Sequence, residues 1–219
     1  MTLDKEDIYD IAKAVVKVIE DKDMMKSEKR KIKNRVRIAS LAAGNVFQFA
    51  DKEWIVLNQN VGDETCFCIV RDFLLDSHCF SEYDNKWERS SLRSDLDSIK
   101  YEIEEYGAEE GLRPNDILKY FPRNLMALDG ANASEECSDK ISLLTLDEYR
   151  LYRAYLDYPS KAKKLIEWAL LTPETNIDTR GVCAVHPDGS VVVCCVAKQF
   201  NIRPVCLFNS NIYVEKVDS

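Results

Sequence analysis

Histidine, glycine and long apolar runs are scarce in this chain, and each shortage closes off a class of function. Only two histidines occur, His78 and His186, so nucleophilic catalysis through an imidazole base has two possible positions. His186 lies in a predicted turn, a typical solvated place, whereas His78 sits beside Cys79 in an irregular segment. Seven glycines in 219 residues form no Gly-rich phosphate loop. No apolar run approaches the ~20 residues that span a bilayer. The first seven residues lack the basic start and apolar core of a signal peptide. The expected location is therefore the cytoplasm, without membrane association.

Eight cysteines are present, but none forms the Cys-x-x-Cys knuckle of a structural zinc site. Most lie inside apolar, strand-like runs, where small buried thiols in a reducing compartment are expected. All eight are expected to be reduced and metal-free, and no cofactor is implied. Cys66 and Cys68 share one face of a strand; Cys194 and Cys195 take opposite faces, so at least one of these two should be buried. Acidic clusters such as Glu102, Glu104 and Glu105 read as solvated helix faces.

What is there is an ordinary globular composition, 46% hydrophobic and 31% charged, with charge unevenly placed. Residues 26–37 carry a net +6, through Lys26, Lys29, Arg30, Lys31, Lys33, Arg35 and Arg37 against Glu28. A chain of net −8 then leaves −14 on the rest. Before this basic neck, Ile8, Ile11, Ala12, Val15, Val18 and Ile19 form one helical stripe over residues 4–20. The stripe either packs on its own domain or is offered to a second copy or a protein partner. The neck could touch phosphates, but it has no interleaved aromatics and no DNA-binding motif, so nucleic acid is the lesser reading. Residues 1–36 are thus read as an arm and 37–219 as an α+β domain.

Within the domain, Asn45–Ala50, Glu53–Asn58 and Glu64–Val70 predict a three-stranded meander with its first turn at Asp51-Lys52. Phe73 to Trp87 reads as irregular. Ser90 or Ser91 caps a helix with apolar positions Leu92, Leu96, Ile99, Ile103 and Tyr106, and Gly107 stands where a C-terminal cap is expected. Pro114 predicts a short helix through Tyr120, ended by Pro122, and residues 123–139 a loop. Lys140–Leu144 is strand-like. Thr145-x-x-Glu148 has capping-box spacing for a helix over 146–156, and another short helix is expected over 160–167. Two apolar runs flanking Pro187-Asp188-Gly189 predict a hairpin. Trp168–Leu171 and Ile202–Phe208 add a strand on either side of this C-terminal antiparallel core. Trp54, Leu92, Leu96, Trp168 and Val192 are expected to be buried.

An ordered set of motifs runs through this domain: Glu53-Trp54-Ile-Val-Leu57, Trp87-Glu-Arg-Ser90-Ser-Leu-Arg93, Asp139-Lys-Ile-Ser-Leu-Leu144, Trp168-Ala-Leu-Leu-Thr-Pro173 and Ile202-Arg-Pro-Val205. The set resembles an uncharacterised domain family of bacterial and prophage genomes with "EWxVL", "WxxSxLRxxL", "WWLRTP" and "VRPA" motifs. Its order of elements is similar to the C-type-lectin-like fold that includes formylglycine-generating enzymes. The resemblance implies a compact α+β body with long loops on small antiparallel sheets, most often used for binding. It points to Trp87, Thr172, Asn176, Arg180 and Arg203 as candidate ligand-binding residues. The chain departs from "WWLRTP" at Ala169 and Leu171, where relatives carry Trp and Arg. Arg203 is expected to form an ion pair that ties the last strand to the body.

Two classes of function follow. The first is a non-enzymatic binding or interaction protein with a helical assembly arm. A prophage-encoded inhibitor of a host or defence nuclease, its acidic body mimicking nucleic acid, is one version. The second is an enzyme using a cysteine or carboxylate on the loop-covered face. Binding is the preferred reading.

Overall fold

The computed structural model describes residues 35–123, 125–133, 137–156, 167–175 and 179–217. The predicted helix over residues 4–20, the neck residues Lys29, Arg30, Lys31 and Lys33, Asn176, and all but the last residue of the helix expected over 160–167 lie outside the described residues.

In chain order the strands begin with β1 (Arg35–Arg37), β2 (Val46–Phe49), β3 (Lys52–Asn60), β4 (Thr65–Val70) and β5 (Leu75–Cys79). Helix α1 (Ser91–Glu109) follows, then β6 (Leu118–Lys119), β7 (Phe121–Arg123), β8 (Cys137–Asp139) and β9 (Ile141–Ser142). Helix α2 (Leu146–Tyr152) precedes β10 (Trp168–Pro173), β11 (Gly181–Val185), β12 (Val191–Cys195), β13 (Gln199–Ile202), β14 (Val205–Asn209) and β15 (Tyr213–Val217). The larger sheet has the spatial order β1-β15-β2-β3-β4-β14-β6, with β9 also against β14; the smaller is β12-β11-β10-β13-β5; β7 and β8 form a separate ladder. Among the described residues this is an α+β fold, mostly antiparallel sheet with two α-helices.

Strand alternation divides the apolar side chains between two cores. Trp54 and Val56 of β3, Cys66 and Cys68 of β4, Ala169 and Leu171 of β10, and Phe208 of β14 enter the main core. Their neighbours Ile55, Leu57, Ile69, Trp168, Leu170 and Val205 enter the second. A strand buried on both faces reads as an unbroken apolar run, which is why 168–171 and 181–185 stand out in the sequence. Helix α1 covers the main core with Leu92, Leu96, Ile99 and Ile103. Phe47, Phe49 and Trp54 each meet Phe208 edge-to-face, with centroids 5.0–5.8 Å apart. Trp54, Leu92, Leu96 and Trp168 are buried as expected, but Val192 is only half-buried, because β12 is an edge strand.

The meander forms, with its first turn at Ala50–Asp51, both at positive φ. The predicted hairpin forms too: the Gly189 amide donates to the His186 carbonyl at 2.8 Å, with Gly189 at φ +82°. The Ser90 hydroxyl caps α1, and Thr145 with Glu148 makes a complete capping box on α2.

Other expectations are corrected. Residues 202–208 are not one strand: β13 ends at Ile202, Arg203-Pro204 crosses over, and β14 belongs to the other sheet. β13 runs parallel to β10, so the C-terminal core is not wholly antiparallel. The irregular segment after Phe73 contains β5, paired with β13. Pro114 opens only a 3-10 turn, Pro114–Asp116, followed by β6 and β7 with Pro122 inside the latter. Gly107 is a buried interior residue of α1 rather than its cap; the left-handed glycine is Gly111, φ +82°. Arg35 and Arg37 belong to β1, which pairs with β15 two residues before the expected start of the domain.

Candidate functional site

The candidate residues named from sequence are placed by the structure in separate positions. Trp87 is fully buried against Phe80, ring centroids 5.8 Å apart, and its Nε1 donates to Asp139 Oδ2 at 2.7 Å. Arg93 donates to Asp139 Oδ1 through Nε at 2.9 Å and Nη2 at 2.7 Å. The Ser90 hydroxyl accepts the Arg93 amide and donates to the Phe80 carbonyl at 2.7 Å. The motifs around Trp87 and Asp139, 52 residues apart, therefore meet at one carboxylate. The spacing of Trp87 and Asp139 in the sequence carries no sign that the two side chains meet. A polar hollow of about 340 Å³ opens over this node. Two of its lysines are paired, Lys140 to Glu104 at 2.6 Å and Lys100 to Asp97 at 2.7 Å, while the buried Glu88 Oε2 has no hydrogen-bond partner. Glu104 is accordingly a mostly buried ion-pair partner and not a solvated face. The arrangement clamps the start of α1 to β8.

Thr172 is buried, and its Oγ1 accepts the Leu146 amide at 2.8 Å, which seats the first turn of α2 on β10. Arg203 is 1% exposed; its Nε donates to the Val70 carbonyl at 2.8 Å and its guanidinium lies 5.7 Å from the Trp168 ring centroid. It fastens the crossover between the two sheets through a backbone acceptor. Arg180 is exposed just before β11. Ala169 and Leu171, the departures from the family motif, are both fully buried in the main core.

The thiols are all free. Cys66 and Cys68 have Sγ atoms 3.4 Å apart, and Cys68 stands opposite Cys206 across the β4–β14 ladder. Burial pushes the Cys68 and Cys206 thiols up, and burial with the nearby Glu174 carboxylate lifts Cys183 to about 11. These groups are held neutral, the opposite of an activated nucleophile. Cys195 is exposed and Cys194 half-buried, which corrects the expectation that one of them is buried. His78 Nδ1 lies 3.4 Å from Asp95 and His186 Nδ1 3.2 Å from Asp188, each turned to a surface carboxylate. No group of His, Cys, Asp and Glu among the described residues could hold a metal ion.

A second concavity carries more recognition chemistry. A groove of about 450 Å³ runs between the face of β3, β4 and β14 and the side of α2. Phe67 forms its floor, with Phe121 at 5.8 Å and Tyr152 at 6.0 Å between ring centroids. Tyr120, 66% exposed, stands at the rim. Arg123 is buried in the wall, its Nη1 and Nη2 each 2.8 Å from one oxygen of Glu148. Arg123 Nη2 also donates to the Leu143 carbonyl at 2.6 Å, and the guanidinium lies 4.9 Å from the Phe121 centroid. Glu148 simultaneously accepts the Thr145 amide at 2.7 Å. One capping residue thus fixes both the start of α2 and the groove arginine. The available signal was Tyr120-Phe-Pro-Arg123, a run that sequence reading used only to end a helix.

Comparison with protein-family models, with curated proteins and with solved structures finds no match.

Proposed function

We propose that this chain is a non-enzymatic binding protein of the cytoplasm, and that the aromatic groove recognises a segment of a protein partner. The groove itself is the observation that carries this reading. Tyrosine and arginine dominate the energetics of protein interfaces, and rigid aromatics order at low entropic cost. Phe67 meets Phe121 in a T-shaped contact and Tyr152 at a tilt, while Arg123 is locked by two bonds to Glu148. Because Glu148 already matches its charge, the occupant is an apolar or aromatic segment with hydrogen-bonding groups, not a free anion. The C-type-lectin-like architecture and a prophage setting belong to the same proposal. In support, the sheets are mostly antiparallel with only two α-helices among the described residues, and the Arg203-Pro204 motif sits at the crossover.

A second reading rests on the outer face of α1. Asp95, Asp97, Glu102, Glu105 and Glu109 are exposed along a 19-residue helix, a negative ridge suited to mimic a nucleic-acid backbone towards a basic protein. Substitution distinguishes the two. Tyr152→Ser and Tyr120→Ser should weaken retention of the co-purifying partner at least about tenfold, each tenfold being 1.4 kcal/mol, with the fold intact. Retention unchanged in these variants but lost in a Glu102→Lys, Glu105→Lys, Glu109→Lys variant would select the acidic ridge instead.

A further inference from the structure

One ion pair separates two hollows at the point where the chain enters the described body. Arg35 Nη1 lies 2.8 Å from Glu110 Oε2, and Arg35 Nη2 donates to the Tyr213 carbonyl at 3.2 Å. On one side is a groove of about 790 Å³ whose apolar wall is Leu112, Ile212 and Tyr213. On the other is a hollow of about 340 Å³ floored by Phe49, Tyr106 and Val214 and edged by Asp51 and Glu215. Arg35 and Glu110 line both. Burial chiefly raises the Tyr106 hydroxyl pKa here, with Glu110 adding to it and Arg35 opposing.

We infer that residues 4–34 of this same chain are the occupant of this face. On this inference their apolar side chains meet Tyr213, which is half exposed, and Leu112, and their basic residues meet the acidic end of α1. Three observations lead there. The first is position: Arg35 is held by β1 pairing at the rim of both hollows, so the preceding residues begin at the groove. The second is charge. Lys26, Lys29, Arg30, Lys31 and Lys33 directly precede Arg35. Exposed Glu105 and Glu109 line the last turns of α1, whose C-terminus is the negative end of the helix dipole; Glu102 is already paired with Lys52 at 2.8 Å. The third is reach. The fourteen residues between stripe and β1 can span up to about 46–50 Å extended, and a helix over residues 4–20 is only about 26 Å long. Tethering gives this segment an effective concentration in the millimolar range that a free second copy does not match.

The test uses the full chain with Tyr213→p-benzoylphenylalanine, a photoreactive side chain on the groove wall. Irradiation should join residue 213 to a peptide from residues 4–20 in a product of monomer mass at every protein concentration. Leu112→Glu should lower that yield by roughly tenfold, a loss of 1.4 kcal/mol of docking. It should also speed tryptic cleavage within residues 26–33, while hydrogen exchange in β3 and β4 stays unchanged. Cross-links that miss the N-terminal residues, or that occur only in dimers, would overturn the inference. So would tryptic cleavage equally fast in both proteins. Those outcomes leave the aromatic groove untouched, since Tyr152 and Tyr120 variants report on it separately.

Discussion

Asp139 accepts from the Trp87 indole through one oxygen and from the Arg93 guanidinium through the other. Removing it leaves a buried indole N–H and a guanidinium without their acceptor. Asp139→Ala should therefore cost about 2–3 kcal/mol, the range for hydrogen bonds to a charged group, read as a lower denaturant midpoint with unchanged slope. Asp139→Asn keeps one acceptor oxygen and should lose less. The buried thiols give a second residue-scale expectation. Cys68 and Cys206 are raised above the ordinary 9.0 and Cys183 to about 11, so the unfolded chain releases these protons first as pH rises. The Cys183 contribution to stability is complete below pH 9 and falls progressively between pH 9 and about 11; those of Cys68 and Cys206 also begin to fall above pH 9. Thermal unfolding followed from neutral pH to about 11 should show that decline, and Cys183→Ala should flatten it. At this scale the sequence marked Trp87 as a ligand-binding candidate, whereas the structure buries it fully against Phe80. The sequence could not show that Trp87 and Asp139 meet, because that contact depends on where α1 lies against β8.

Glycine decides the end of α1. A Cβ at Gly107 would run into the Ile117 side chain, with Cγ1 at 2.9 Å, while Gly111 has open space and φ +82°. Gly107→Ala gains about 1 kcal/mol of helix propensity but overpacks the contact, at a cost of about 1–3 kcal/mol. The net expectation is a lower midpoint in chemical denaturation, with a Gly107→Ala, Ile117→Val double variant recovering part of the loss. Sequence placed the helix and narrowed its cap to Ser90 or Ser91, of which Ser90 is the cap, because both are local signals. Its end was misplaced because a glycine that admits a neighbour and a glycine that turns the chain read alike. The same distinction explains the missed strands. β5, β6 and β7 are short and polar, and they are strands only because distant partners, β13, β14 and β8, pair with them.

Among the described residues, the two larger sheets are joined through Arg203-Pro204, with alternate side chains feeding two cores. The motif-bearing residues Trp87, Thr172 and Arg203 hold that arrangement together: one ties α1 to β8, one seats α2, one fixes the crossover. The surface left for recognition is made by residues without a motif, gathered from β4, β7, α2 and the Tyr120 corner. This is why the frame was more legible than the groove: burial follows periodicity, but a concave surface follows from the pairing of distant elements. The most direct measurement is aromatic-selective NMR of the labelled full chain titrated with its co-purified partner. Resonances of Phe67, Phe121 and Tyr152 should shift together with one saturation curve, while those of buried Trp87 and Trp168 stay in place. Shifts confined to the outer face of α1, with the three groove aromatics unmoved, would contradict the account.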